Sequence, residues 1–122
     1  MEKKKILIVE DEVIVAMEVE MHLQINGFNI VGKVQTSEQA IECARRELPD
    51  IILMDINIRG NDDGIDAVKK ILSFSSPGII FLTAYNDSDT LNRITEIPGA
   101  KVVSKPFLVD DLLSTVNSLI EK

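Results

Sequence analysis

Cysteine is almost missing from this chain: Cys43 stands alone, so an internal disulfide framework is excluded and a reducing compartment suits it. Histidine is equally scarce, and His22 and Cys43 have no partners of their kind for a thiol triad or a zinc site. Basic residues are in deficit, 13 against 20 acidic, for a formal net charge of −7. That balance argues against direct nucleic-acid binding and against anionic membranes, because phosphate contacts need a basic face. No apolar run approaches the roughly 18 residues that cross a bilayer, so no membrane insertion is expected. The apolar stretch from Ile6 to Val9 behind Met-Glu-Lys-Lys-Lys is too short for a signal peptide. Cytoplasmic placement is the default.

What is present is an ordinary globular balance, 45% hydrophobic and 27% charged over 122 residues, which fits one domain. Such a chain buries roughly two thirds of its unfolded surface and folds without staples. Short Ile/Val/Leu runs without polar alternation read as strands buried on both faces, at residues 5–9, 29–34, 50–54, 78–82 and 100–104. The second, interrupted by Gly32 and Lys33, belongs nearer an edge. Between them lie helix-length stretches at 12–26, 37–48, 63–74, 87–97 and 109–121. The first ends at Gly27, and its apolar positions cover more than one stripe. The second opens on Thr36 or Ser37 as N-cap, keeps Ala40, Ile41, Ala44 and Leu48 on one face and stops at Pro49. Asp62 and Asp63 cap the third, the fourth is poorly patterned, and the last spaces Leu112, Leu113, Val116, Leu119 and Ile120 as a helix does. Strand and helix alternate five times with short connections, which predicts a doubly wound α/β domain: a five-stranded parallel sheet with helices on both faces.

Ligands of such sheets sit outside the carboxyl ends of the strands. The residues there are Glu10, Asp11 and Glu12 after the first strand, Asp55 and Asn57 after the third, Thr83 after the fourth, and Ser104 and Lys105 after the fifth. Three carboxylates (Glu10, Asp11, Asp55), one hydroxyl (Thr83) and one ammonium (Lys105) therefore converge. Oxygen ligands with open positions suit Mg²⁺, or Mn²⁺, which prefers one or two carboxylates plus water and a phosphate oxygen. Lys105 suits phosphate as a point charge, and Thr83 can donate to a phosphoryl oxygen. A carboxylate so placed can attack a phosphoryl group and form an acyl phosphate.

These residues resemble the receiver domain of two-component response regulators, the CheY-like superfamily. The matching stretches are 6–12 (ILIVEDE), 50–57 (DIILMDIN), 80–84 (IFLTA) and 104–107 (SKPF), in family order and spacing, and the likeness covers essentially the whole chain. The resemblance implies the sheet order 2-1-3-4-5 and one receiver domain over residues 1–122, with no output domain among them. It implies Asp55 as phosphoacceptor and Mg²⁺ held by Glu10, Asp11, Asp55 and the backbone carbonyl of Asn57. It places Thr83 and Lys105 on the phosphoryl group, small Ala84 at the rim, and a cis bond between Lys105 and Pro106. Val102 stands where the family often carries a switching aromatic, so a rotating ring is excluded at that position. Tyr85, the only tyrosine, stands two residues after Thr83, as Asn57 stands two after Asp55; both positions are associated in the family with acyl-phosphate lifetime.

The function implied is phosphoryl transfer from a histidine kinase or phosphotransfer protein to Asp55. Movement of Thr83 and residues 84–92 would then change a face that binds a downstream protein; a homodimer stays open. Two other classes compete. An aspartyl-phosphate phosphohydrolase would need a second acid two residues after the nucleophile, where Asn57 stands, and usually a cap insertion. A constitutive interaction domain would keep the fold without the chemistry, although all five site groups are present. A P-loop-like run at 27–33 fails at Val34 and lies between a helix and a strand, the reverse of what a P-loop needs. An EF-hand-like start at Asp55 fails at Arg59 and Asp66. His22 pairs with Glu18 on a helix surface, Cys43 is a small partly buried hydrophobe, and Lys3 to Lys5 form a solvated lead-in.

Overall fold

A computed structural model of the protein describes residues 3–84 and 88–120. The elements run β1 (Lys5–Val9), α1 (Val13–Ile25), β2 (Asn29–Val34), α2 (Ser37–Glu47), β3 (Ile51–Asp55), α3 (Gly64–Ile71), β4 (Gly78–Thr83), α4 (Ser88–Thr95), β5 (Lys101–Ser104) and α5 (Val109–Ile120). All strand pairs are parallel and the sheet order is β2-β1-β3-β4-β5. The doubly wound sheet inferred from the alternation of runs is therefore the observed fold. No helix among the described residues is long and apolar enough to cross a membrane.

Successive residues of the central strands point to opposite faces, so an unbroken apolar run feeds two cores. Leu7, Val9, Ile52, Met54 and Phe81 pack with Ala40, Ala44, Val68 and Ile71 of α2 and α3. Ile6, Ile8, Leu53, Ile80 and Leu82 pack with Ala16, Val19 and Leu23 of α1 and Leu112 and Val116 of α5. Each fully buried Leu or Ile contributes about 1.5–3 kcal/mol against exposure. β2 lies on one edge, and its pairing with β1 slips by one residue between Ile30 and Gly32. A bulge is the expected result of a glycine inside an edge strand.

Local chemistry sets the helix ends. Thr36 caps α2: its side chain accepts from the Gln39 amide, and the Gln39 side-chain oxygen accepts from the Thr36 amide in return. Leu48, expected on the buried face of α2, is instead 57% exposed. The following proline disfavours helical backbone at Leu48, which takes a left-handed conformation (φ 48°) that turns the chain off the helix. α3 stops at Ile71, short of the expected Phe74; the amides of Ser73 and Phe74 bond three residues back and close a tighter last turn. The mixed patterning of α1 has a simple outcome. Ala16, Val19 and Leu23 face the core, while Ile14, Met17, Met21 and Ile25 form an exposed stripe. α4, the poorly patterned helix, buries Ile94 only and is held by an ion pair: Arg93 grips Asp63 at 2.7 and 3.0 Å, and just past the helix end Glu96 meets Lys69.

Gly64 opens α3 directly against the end of β3. A Cβ there would run into the Asp55 carbonyl oxygen, the Ile56 Cα and the Met54 side chain, two of them unyielding backbone atoms. Gly64→Ala should therefore cost about 1–3 kcal/mol as an overpacked contact, read as a lower urea midpoint at unchanged slope. Thr36→Ala should cost about 1 kcal/mol through loss of the cap, measurable by the same unfolding curve.

Candidate functional site

Because every strand runs the same way, the carboxyl ends of β1, β3, β4 and β5 open on one side of the sheet. Glu10 and Asp11 follow β1, Asp55 and Thr83 are the last residues of β3 and β4, and Lys105 follows β5. Glu10, Asp55 and Thr83 are buried, at 1%, 4% and 2% exposure. One carboxylate oxygen from each of Glu10, Asp11 and Asp55 lies within 4.8 Å of the others. Over them opens a cleft of about 360 Å³ lined by Asp11, Glu12, Asp55, Asn57, Thr83, Ala84 and Lys105.

The Lys105 ammonium sits among the acids, 2.8 Å from Glu10 Oε2, 3.2 Å from Asp55 Oδ2 and 3.2 Å from Glu12 Oε1. Its backbone amide donates a hydrogen bond to the Thr83 carbonyl at 2.8 Å, and its peptide bond to Pro106 is cis. Asp55 is held at both oxygens: the Asn57 amide donates to Oδ1 at 3.0 Å while Lys105 takes Oδ2. Glu10 Oε1 accepts the Glu12 amide at 3.2 Å, whereas Oε2 lies 2.8 Å from the Lys105 ammonium and accepts no well-directed hydrogen bond among the described residues.

Electrostatics follow from this crowding. Burial pushes the Glu10 carboxyl up to about 7; Lys105 opposes the shift, and the neighbouring Asp55 adds to it. Burial alone would lower the Lys105 ammonium, but Glu10, Asp55 and Glu12 outweigh it and hold it above its usual value. The donor set fits a hard divalent cation: oxygen atoms only, closely spaced, one of them buried with its hydrogen-bonding capacity unmet.

The structure thus brings together Glu10, Asp11, Asp55, Asn57, Thr83, Ala84 and Lys105. Tyr85 lies outside the described residues. Val102, on the edge strand β5, is 38% exposed. Sequence reading passed over Glu12 as a site residue. Its signal was its place as the third consecutive acid after β1, and the structure spends it on Lys105 instead of on an α1 cap. Gly64 was missed too, since a glycine inside a helix start carries no mark of the carbonyl it must clear.

Comparison with known proteins agrees with this geometry. The response regulator receiver domain family matches residues 6–117. The transcriptional regulatory protein PdtaR of Mycobacterium tuberculosis is 30% identical over 119 residues, covering 98% of this chain and 58% of that protein. The chain therefore spans somewhat over half the length of this curated relative. The chemotaxis protein CheY of Bacillus subtilis is 29% identical over 117 residues, 95% of this chain and 97% of that one. The solution structure of the PhyR response regulator receiver domain from Erythrobacter litoralis superposes with a TM-score of 0.86 at 32% identity, covering 98% of this chain and 92% of that one. With the family matching residues 6–117 of the chain and the acid cluster and lysine gathered at the strand ends, this chain belongs to the response regulator receiver domains of two-component signalling.

Proposed function

We propose that the receiver takes a phosphoryl group onto Asp55 from a phosphohistidine on a histidine kinase or phosphotransfer protein, and that the modified domain presents an altered face to a downstream protein. The observation that carries this reading is the state of Asp55: a buried carboxylate at a strand end, oriented by the Asn57 amide and neutralised by Lys105, with Glu10 and Asp11 alongside. A carboxylate oxygen of Asp55 forms the new O–P bond as the phosphorus–nitrogen bond of the donor breaks, and the electron pair leaves with the imidazole. Lys105 lies where it can leave Asp55 for an oxygen of the incoming phosphoryl group, and Thr83, on the adjacent strand end in the same cleft, can donate to another. The low exposure of Asp55 and Thr83 limits competing water.

Glu10, Asp11, Asp55 and the backbone carbonyl of Asn57 are the groups that would hold Mg²⁺, or Mn²⁺. When bound, the cation supplies positive charge against the phosphoryl oxygens. The whole of residues 1–122 acts as one receiver unit in this reading, with cytoplasmic placement following from its phosphodonor.

Incubation with acetyl phosphate and Mg²⁺ should add one phosphoryl mass to the intact protein. Asp55→Asn should abolish the adduct, and Lys105→Ala should slow its formation by about 10²-fold, the usual cost of removing one such charge-stabilising donor. An undiminished adduct in Asp55→Asn overturns the assignment. The proton on Glu10 competes with the metal: the folded carboxyl titrates near 7, and only its ionised form is a ligand. Mg²⁺ affinity should therefore climb through pH 6 to 7 by up to about tenfold per unit and level off above. Calorimetric titration at several pH values checks this, and Glu10→Gln should flatten the profile.

A further inference from the structure

The loop between β3 and α3, residues 56–63, leaves the phosphoacceptor and carries the Asn57 carbonyl. At its sheet end it is pinned by the Ile56 amide to the Leu82 carbonyl at 3.3 Å, and by the Gly64 amide to the Ile56 carbonyl at 2.9 Å. Its far side is fastened elsewhere, to the N-terminus of α2. Arg59 forms an isolated parallel bridge with Thr36, and its carbonyl accepts the Ser37 amide at 2.9 Å. The Asp62 amide donates to Ser37 Oγ at 3.3 Å, and the Asn61 amide to Glu38 Oε2 at 2.9 Å. The Ser37 hydroxyl donates in turn to that same Glu38 oxygen at 2.5 Å.

Neither side chain is needed to start the helix. Thr36 and Gln39 already cap α2 reciprocally. Ser37 is nevertheless completely buried, a costly place for a hydroxyl unless its bonds are made. Glu38 gives its carboxylate to a loop amide, and the Ser37 hydroxyl followed by the Asn61 amide holds that carboxyl below its usual value. Gly60 completes the seam. It adopts φ +115°, and a Cβ would strike Ser37 Oγ and both Glu38 carboxylate oxygens.

We infer that Ser37 and Glu38 are positioning residues for the metal end of the site. By fixing residues 59–62 against α2, they set the course of the loop and hence where the Asn57 carbonyl stands relative to Glu10, Asp11 and Asp55. The inference rests on the reading of that cluster as a divalent-cation site. Neither residue touches the cluster; they act through the loop backbone.

Titration of Mn²⁺ into the metal-free protein, with free ion followed by electron paramagnetic resonance, tests this without phosphorylation. Ser37→Ala and Glu38→Gln should each weaken Mn²⁺ binding by about threefold to tenfold, at or below the range seen for groups that orient metal ligands. Thr36→Ala removes the α2 cap but leaves the loop bonds intact, and should leave affinity unchanged. If the wild type binds Mn²⁺ and Asp11→Asn does not, but both loop variants bind as wild type, the positioning role falls and the site reading stands. Equal weakening by Thr36→Ala would also overturn it, since the effect would then follow helix stability. A wild type that binds no Mn²⁺ would overturn the cation site, and the positioning role with it.

Discussion

The ammonium of Lys105 holds the strand ends together. Glu10 and Asp55 lie almost wholly out of water, and Asp11 and Glu12 crowd beside them. Buried carboxylates this close repel one another, and a cation in contact with three of the four carboxyl groups is what allows them to share the space. The compensation is incomplete: Glu10 keeps a raised affinity for a proton and one oxygen without a directed partner. The site is thus left short of positive charge, the electrostatic condition under which a divalent ion is welcome.

Lys105 can do this only because β5 delivers it. β4 and β5 pair in parallel with Thr83 opposite Ser104, and the Lys105 amide then bonds the Thr83 carbonyl. A one-residue slip in that register would turn the side chains of β5 to the other face. β5 itself is a weak anchor, with Val103 alone buried among its residues, so neighbouring elements must supply the firmness. α5 packs Leu112 and Val116 under the sheet. On the opposite flank α4 is tied by Arg93 to Asp63, the residue that also caps α3 by accepting the Asp66 amide. One carboxylate thereby joins a helix start, the loop leaving Asp55 and the helix that buries only Ile94.

Much of this was readable in advance, for definite reasons. Residues such as Ile6 to Val9 and Ile51 to Met54 are apolar without alternation, and only a strand covered on both faces uses such a run. Once the parallel sheet is inferred, its geometry forces the strand ends to one side, which is why Glu10, Asp11, Asp55, Thr83 and Lys105 could be grouped from sequence. Leu48 shows the opposite case: helical spacing placed it on the buried face, and a single following proline overrode the pattern. The grip of Arg93 on Asp63, thirty positions apart, and the use of Ser37 and Glu38 to hold residues 59–62 leave no periodic trace. They are polar pairings between elements, and their partners are chosen by where the elements come to rest.

The sequence by itself determined the alternation of strands and helices, the two-sided core and the identity of the acids, hydroxyl and lysine at the strand ends, because backbone period, propensity and the rule for parallel sheets act locally or on architecture as a whole. Tertiary structure alone decided which carboxylates Lys105 contacts, that Glu12 joins them, that Gly64 must lack a side chain beside the Asp55 carbonyl, and that α2 fastens the loop behind Asp55. Those outcomes depend on distances of about 3 Å between residues far apart in the chain, and such distances exist only after the sheet has closed and its helices have packed.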